Sequence, residues 1–335
     1  RTDSLPVSGS AHLILCDGAT LTAADLEPLY SYRRVLGLAE MMNYPGVLCD
    51  SPDVLEKLHQ ARKHKKVING HAPLLSGKGL DRYIAEGVQD DHECTNIAEA
   101  REKLSKGQWI MIREGTSARN LASLIDLFDE PLNRRCLLVA DDKHPYDILE
   151  NGHLDANIRK AVRMGKSPLV GIRMATIQAA TCFDLKHMGA VAPGYFANIL
   201  VLNDLNTVDI DEVYCSGKLV CHHKQIVPFD KPVIAPAISR PVLGSFNIST
   251  LTADDFMIEP KSKKCRVIHA IPGQILTDEV IREPDFEHSN GIDIRQDIIK
   301  LAVCERHKHT GHIGIGFIEG LGIRRGAIAS SVFRL

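Results

Sequence analysis

The chain has 335 residues, a length that suits two domains, or one large α/β domain with an appendage, and excludes a single small binding module. Lys and Arg number 40 against 42 Asp and Glu, a formal net charge of -2, so no basic excess exists to neutralise a nucleic-acid backbone. Hydrophobic residues make up 44% of the chain, enough for a sizeable core, which excludes a disordered polypeptide.

No stretch approaches about 18 consecutive apolar residues, so no membrane helix and no membrane partner are predicted. No basic segment followed by an apolar run stands near Arg1, so a secretory signal is not indicated either. The nine cysteines are scattered without a C-x-x-C pair. That pattern excludes a cysteine-rich zinc module and points to reduced thiols in the cytoplasm.

Taken in chain order, short apolar runs end in polar or ionisable residues and alternate with helical stretches. The runs are Val35–Glu40, Val67–His71, Gly87–His92, Trp109–Glu114 and Cys136–Asp141, with starts 20 to 32 residues apart. This spacing predicts βα units with parallel strands, because each crossover needs a dozen or more residues. Helix starts are read at Ser51-Pro52, at Asn96 with Glu99 three residues on, and at Ser117, which opens a helix over Ala118–Phe128. Further helices are expected over Leu154–Met164 and from Ser167-Pro168 to about Ala180. The texture then turns β-rich, with runs at Ile199–Leu202 and Val213–Val220 around a hairpin-like Ser-Gly-Lys turn. Residues 224–245 carry Pro228, Pro232, Pro236 and Pro241 and read as an extended linker. Strand-like runs follow at Cys265–Ile271, Ile298–Cys304 and Gly311–Phe317.

The chemistry lies in the residues that close the apolar runs. Glu40, His71, His92 and Asp141 each fall at the C-terminal end of a different run, and in a (β/α)8 barrel such ends converge on one site. Two imidazoles and two carboxylates suit one or two divalent cations such as zinc, iron or manganese. A two-metal site needs an anionic bridge, and Glu40 is the candidate. Asp142, beside Asp141, reads as a cap for the next helix. The cluster His307-x-His309-x-x-His312 reads as a solvated turn and His222-His223-Lys224 as an exposed strand end. Ser76–Gly79 lacks the full P-loop pattern, so phosphate cradling has little support.

Five segments carry a family resemblance: Gly37–Val47, Asn69-Gly70-His71-Ala72-Pro73, Met111–Asn120, Asp141-Asp142-Lys143-His144-Pro145 and Gly152–Ala156. Together they closely resemble bacterial adenine deaminases of the amidohydrolase superfamily, and the likeness extends more loosely over nearly the whole chain. The resemblance implies a metal-dependent TIM barrel, here strands four to eight with the end of a third near Ser8. A β-sandwich segment and part of a C-terminal α+β domain follow. The corresponding domains are 1–184, 185–235 and 236–335.

The implied reaction is hydrolytic deamination of adenine to hypoxanthine and ammonia, with a metal-activated hydroxide attacking C6. Carried across, Glu40 matches the carboxylate that bridges two ions, His71 and His92 the ligands from the fifth and sixth strands, and Asp141 the eighth-strand ligand that also moves protons. Glu40, His92 and Asp141 are thus the expected catalytic set, and manganese, iron or zinc the expected metal. Arg113 is open to contact with substrate or a pair with Glu114; His153 is open to a capping role or adenine contact. A homo-oligomer is implied by the family. The family's first-strand His-x-His has no counterpart here, and the chain ends before the family's last segment. The sequence is therefore expected to be an internal portion of a longer chain, inactive alone. The alternatives are an amidohydrolase for another purine or a cyclic amide, and a non-catalytic fragment.

Overall fold

The computed structural model describes residues 21–231 and 233–329; Ser8 and the terminal residues 330–335 lie outside this range. The described residues divide into two compact units, Leu21–Asp230 and the part that begins at Lys231.

The first unit opens with α1 (Ala23–Leu26) and a 3-10 turn, Glu27–Ser31, followed by five strands interleaved with helices: β1 (Gly37–Met41), α2 (Tyr44–Leu48), α3 (Pro52–Lys63), β2 (Val67–Gly70), α4 (Gly77–Ala85), β3 (Asp90–Asp91), α5 (Ile97–Ser105), β4 (Trp109–Arg113) and β5 (Cys136–Val139). All the strand pairings are parallel: β1 with β2, and β3, β4 and β5 in that order. A backbone hydrogen bond from Gln89 to the Ile68 carbonyl, 3.1 Å, ties the two sheets together. The strands therefore lie side by side in chain order, as helical crossovers on parallel strands dictate. Helices α6 (Pro145–Asn151), α7 (Leu154–Arg163), α8 (Pro168–Ala175) and α9 (Ile177–Cys182) follow.

Strand β4 is buried along its whole length, and its two faces pack against different clusters. Ile110 and Ile112 meet Leu121, Leu138, Ile158 and Met174, whereas Trp109 and Met111 meet Leu137 and Cys182. A parallel strand covered on both faces reads as the continuous apolar run seen in the sequence. Since alternate residues share a face, Arg113 belongs with Trp109 and Met111 and not with Glu114.

Two helical expectations change. Ala118–Phe128 is not an α-helix, and only Ile125–Phe128 forms a 3-10 turn. The chain here bonds back to the end of β4, with Asn120 N–H on the Arg113 carbonyl and Leu121 N–H on the Glu114 carboxylate, instead of to its own previous turn. The helix expected from Ser167 breaks at Thr176 into α8 and α9. Gly189 packs so closely there that a Cβ would stand 2.7 Å from the Ile177 Cα. In the Ser76–Gly79 segment, Ser76 is the N-cap of α4 and Gly77–Gly79 its first turn.

The rest of the first unit is an antiparallel sheet of β6 (Ile199–Asp204), β7 (Asp209–Cys215), β8 (Lys218–His222) and β9 (Gln225–Ile226). Its two tight turns are Ser216-Gly217 and His223-Lys224, and all four residues have positive φ. That is the geometry whose twist matches antiparallel strands. His222-His223 is thus a strand end running into a hairpin turn, with His223 Nδ1 2.7 Å from Asp211 and His222 Nε2 3.5 Å from Glu212.

In the second unit, the proline-rich stretch is not wholly extended, since it contains α10 (Pro236–Leu243). A mixed sheet then runs β11 (Thr277–Arg282), β10 (Cys265–Ala270), β13 (Ile313–Glu319), β12 (Ile299–Cys304), with β10 and β13 parallel. Strand β11 had no apolar signature, because Thr277-Asp278-Glu279 opens it at an exposed edge. Val267, Ile298 and Phe317 form its core, with Phe286 of α11 (Phe286–Ser289) edge-on to Phe317. The His307–His312 segment is a turn wrapped around the Glu305 carboxylate, which accepts the N–H groups of His307, Lys308 and Thr310. No helix among the described residues is long and apolar enough to cross a membrane.

Candidate metal centre

The strand ends bring Glu40, His71, His92 and Asp141 together. Glu40 is on β1, His71 and His92 directly follow β2 and β3, and Asp141 stands two residues beyond β5. At Asp141 the chain is left-handed, φ 48°, a conformation rare outside Gly, Asn and Asp, so the backbone turns sharply as the side chain is presented.

His71 Nδ1 and His92 Nε2 are 3.3 Å apart. Glu40 Oε2 lies 3.4 Å from the first and 3.1 Å from the second, and Asp141 Oδ2 lies 3.6 Å from His92 Nε2. Both histidines are buried, whereas the Glu40 and Asp141 side chains keep 28% and 25% exposure. The centre therefore has a buried floor of imidazoles and an accessible carboxylate rim.

A fifth residue, Glu93, completes the cluster and was not anticipated from the sequence. Its Oε1 is 3.2 Å from His92 Nε2 and 3.5 Å from His71 Nδ1, and its side chain is fully buried. Four consecutive titratable residues, Asp90-Asp91-His92-Glu93, at the end of an apolar run were the available signal. Within this cluster, potential ligand atoms form two of the four such groups among the described residues, sharing one histidine: Glu40, His71 and His92, and His92, Glu93 and Asp141.

The electrostatics call for positive charge. Burial alone would depress the His92 imidazole, but its contacts with Glu40 and Glu93, together with the charge of Asp91, push it up to about 10. A divalent cation among the same donors meets the same demand. Imidazole nitrogens with carboxylate oxygens match the preferences of zinc, iron and manganese, and Glu93 Oε2 is a buried oxygen with no protein partner. The residues present fit a metal ion.

Arg113 sits behind this cluster, 1% exposed. One terminal nitrogen binds Glu93 and lies 2.9 Å from Asp141 Oδ2; the other lies 3.3 Å from Asp142 Oδ1. Of the two sequence readings of Arg113, the pair with Glu114 is not formed. Glu114 binds Lys160 and the Leu121 N–H on the opposite face of the strand. Asp142 does not cap the next helix, whose N-cap is His144; its carboxylate accepts the Ser117 N–H and faces Arg113. His153 is exposed at the start of α7, its carbonyl accepting from Lys143, and it is not among the clustered residues.

The Tyr83 hydroxyl joins two of the strand ends. It donates to the Met41 carbonyl at 2.6 Å and accepts the His71 N–H at 3.0 Å, and the side chain is fully buried. The backbone next to Glu40 and that of His71 are thereby held to one oxygen.

Comparison with known proteins follows the same lines. The sequence matches the amidohydrolase family over residues 26–220 and the adenine deaminase C-terminal domain over residues 274–333. An adenine deaminase of Desulfatibacillum aliphaticivorans is 42% identical over 316 residues, covering 94% of this chain and 55% of its own length. One of Dehalococcoides mccartyi is 43% identical over 318 residues, covering 94% and 54%. The chain thus spans about half the length of the curated relatives it matches. Among solved structures, a β-aspartyl dipeptidase from Fervidobacterium islandicum AW-1 superposes with a TM-score of 0.49 at 13% identity, over 63% of this chain and 64% of that one.

Proposed function

This chain belongs to the amidohydrolase family, and on that premise we propose that its clustered strand ends form the metal-binding part of an active site that deaminates adenine. The observation that carries the reading is the meeting of Glu40, His71, His92 and Asp141 from four different strand ends, in a sequence whose relatives include adenine deaminases. The parallel strands β1 to β5, lying in chain order, support their assignment as strands four to eight of a (β/α)8 barrel. The antiparallel sheet of β6 to β9 is then the β-sandwich segment, and the second unit part of the C-terminal domain. The domain assignment is 1–184, 185–235 and 236–335.

The reaction replaces the exocyclic amine at C6 with the oxygen of water, giving hypoxanthine and ammonia. Glu40, His71, His92 and Asp141 would hold the metal, and Glu40, with two carboxylate oxygens, would serve as the anionic bridge if two ions bind. When bound, a divalent cation acidifies a coordinated water toward neutrality and polarises the attacked centre. Asp141, on the accessible rim, takes one proton as water attacks C6 and passes it to the ring nitrogen, then takes the proton of the new C6 hydroxyl and passes it to the departing amine, which leaves as ammonia. Arg113 keeps Asp141 aimed inward, and Glu93 keeps Arg113 in place. Arg113 and Glu114 are both buried and held in ion pairs, with Glu93 and Lys160 respectively. The same reading gives a cytoplasmic homo-oligomer, in line with the reduced cysteines and the family.

Ammonia release from adenine, compared with guanine and cytosine in the presence of manganese, tests the proposal in the longer chain that the strand assignment implies. Turnover of adenine alone, reduced about 100-fold or more in Asp141→Asn, is expected. Equal turnover of all the bases, or an Asp141→Asn variant as active as the parent, contradicts it.

A further inference from the structure

Lys103 is on the buried side of α5, with its side chain fully inaccessible, as is that of Asp91; Glu99, one turn earlier, is 7% exposed. The Lys103 ammonium has three hydrogens and uses all three: it donates to Asp91 Oδ2, to Glu99 Oε1 at 2.7 Å and to the Ala72 carbonyl at 2.7 Å. The two carboxylates reach outward from it. Asp91 Oδ1 accepts the Ala72 N–H at 3.3 Å and the Glu93 N–H at 3.0 Å. Glu99 accepts the Leu74 N–H at 2.7 Å and the Thr95 N–H at 3.2 Å.

Every backbone group in this network belongs to one of two segments, 72–74 or 93–95. The first begins immediately after His71 and the second immediately after His92. The strands that carry these histidines end side by side, but nothing in their own pairing fixes how the two departing turns are set against each other. A buried charged network is a poor way to gain stability, since well-packed apolar side chains of similar volume often do as well or better. What it supplies is direction, because each bond is satisfied in only one arrangement of the turns.

We propose that Lys103, with Asp91 and Glu99, is a positioning clip that locks the two histidine-bearing turns together and so holds His71 and His92 at metal-binding separation. The consequence for metal rests on the functional reading above; the clip itself does not. Removal of a residue that orients metal ligands through others lowers metal affinity by about 10–100-fold.

The test uses the full chain, Lys103→Met, and a neutral variant combining Asp91→Asn, Glu99→Gln and Lys103→Met, which leaves no unpaired buried charge and carries the test where Lys103→Met alone does not fold. Amide hydrogen exchange and Mn2+ affinity by equilibrium dialysis are the readouts. Protection is expected to fall together at 72–74 and 93–95 while α7 keeps its protection, and Mn2+ binding to weaken about 10–100-fold. Unchanged protection at both segments overturns the clip, and so does loosening that leaves Mn2+ affinity at the parent value. A parent chain that takes up no Mn2+ contradicts the metal reading instead, and the exchange measurement then decides the clip by itself.

Discussion

Arg113 Nη1 lies 2.9 Å from Asp141 Oδ2 while binding Glu93 with the same nitrogen, so one guanidinium joins the end of β5 to the turn after β3. Glu93 is fully buried and Arg113 is 1% exposed, which makes their pair an interior one. Removing the cation strands the carboxylate. Arg113→Met is expected to lower stability by about 3–5 kcal/mol, measured by urea unfolding. Arg113→Lys retains the charge but not the planar fork and is expected to fall between the two. Parent-like unfolding of Arg113→Met contradicts an interior tie.

Tyr83→Phe removes a single oxygen and leaves the His71 N–H and the Met41 carbonyl without it. Both are backbone groups at the floor of the centre, so the expected loss is about 1–3 kcal/mol. Chemical denaturation gives the number. The same variant is expected to bind metal more weakly, since its two partners flank Glu40 and His71. A Phe variant indistinguishable from the parent in both respects removes Tyr83 from the account.

The Glu305 turn predicts a pH dependence of the second unit. Burial by itself would raise the Glu305 carboxyl, but hydrogen bonds from the Lys308, His307 and Thr310 backbones and the Thr310 hydroxyl bring it down to about 2. A carboxyl depressed by folding stabilises the folded state above its unfolded value and loses that contribution as pH falls toward the folded one. Stability of the second unit is therefore expected to decline between about pH 4.5 and pH 2. In Glu305→Gln the neutral-pH stability is expected to be lower and this decline shallower. Unfolding followed at several pH values reads both.

The candidate ligands were legible in the sequence because an ionisable residue that ends an apolar run has few other places to go. Glu40, His71, His92 and Asp141 all stood out in that way. Glu93, Arg113 and the Lys103 network did not, for different physical reasons. Glu93 is two residues past a strand only two residues long, where periodicity carries no information. Arg113 was read beside Glu114 as a possible pair, although neighbouring strand residues face opposite ways; the alternation of β4 assigns them to separate clusters. Lys103 belongs to a helix that also carries the exposed Arg101 and the half-buried Glu102, and only the folded position of Asp91 reveals that Lys103 points inward. The helix expected over Ala118–Phe128 failed because its polar backbone groups found partners at the end of β4.

The central claim is that Glu40, His71, His92 and Asp141 hold a divalent metal. Metal content by plasma mass spectrometry, on the full chain and on a His71→Ala, His92→Ala double variant prepared side by side in manganese, tests it most directly. Near-stoichiometric metal in the parent and its loss in the folded double variant is the predicted result. A parent without metal, or a double variant that retains the parent's content, would contradict it.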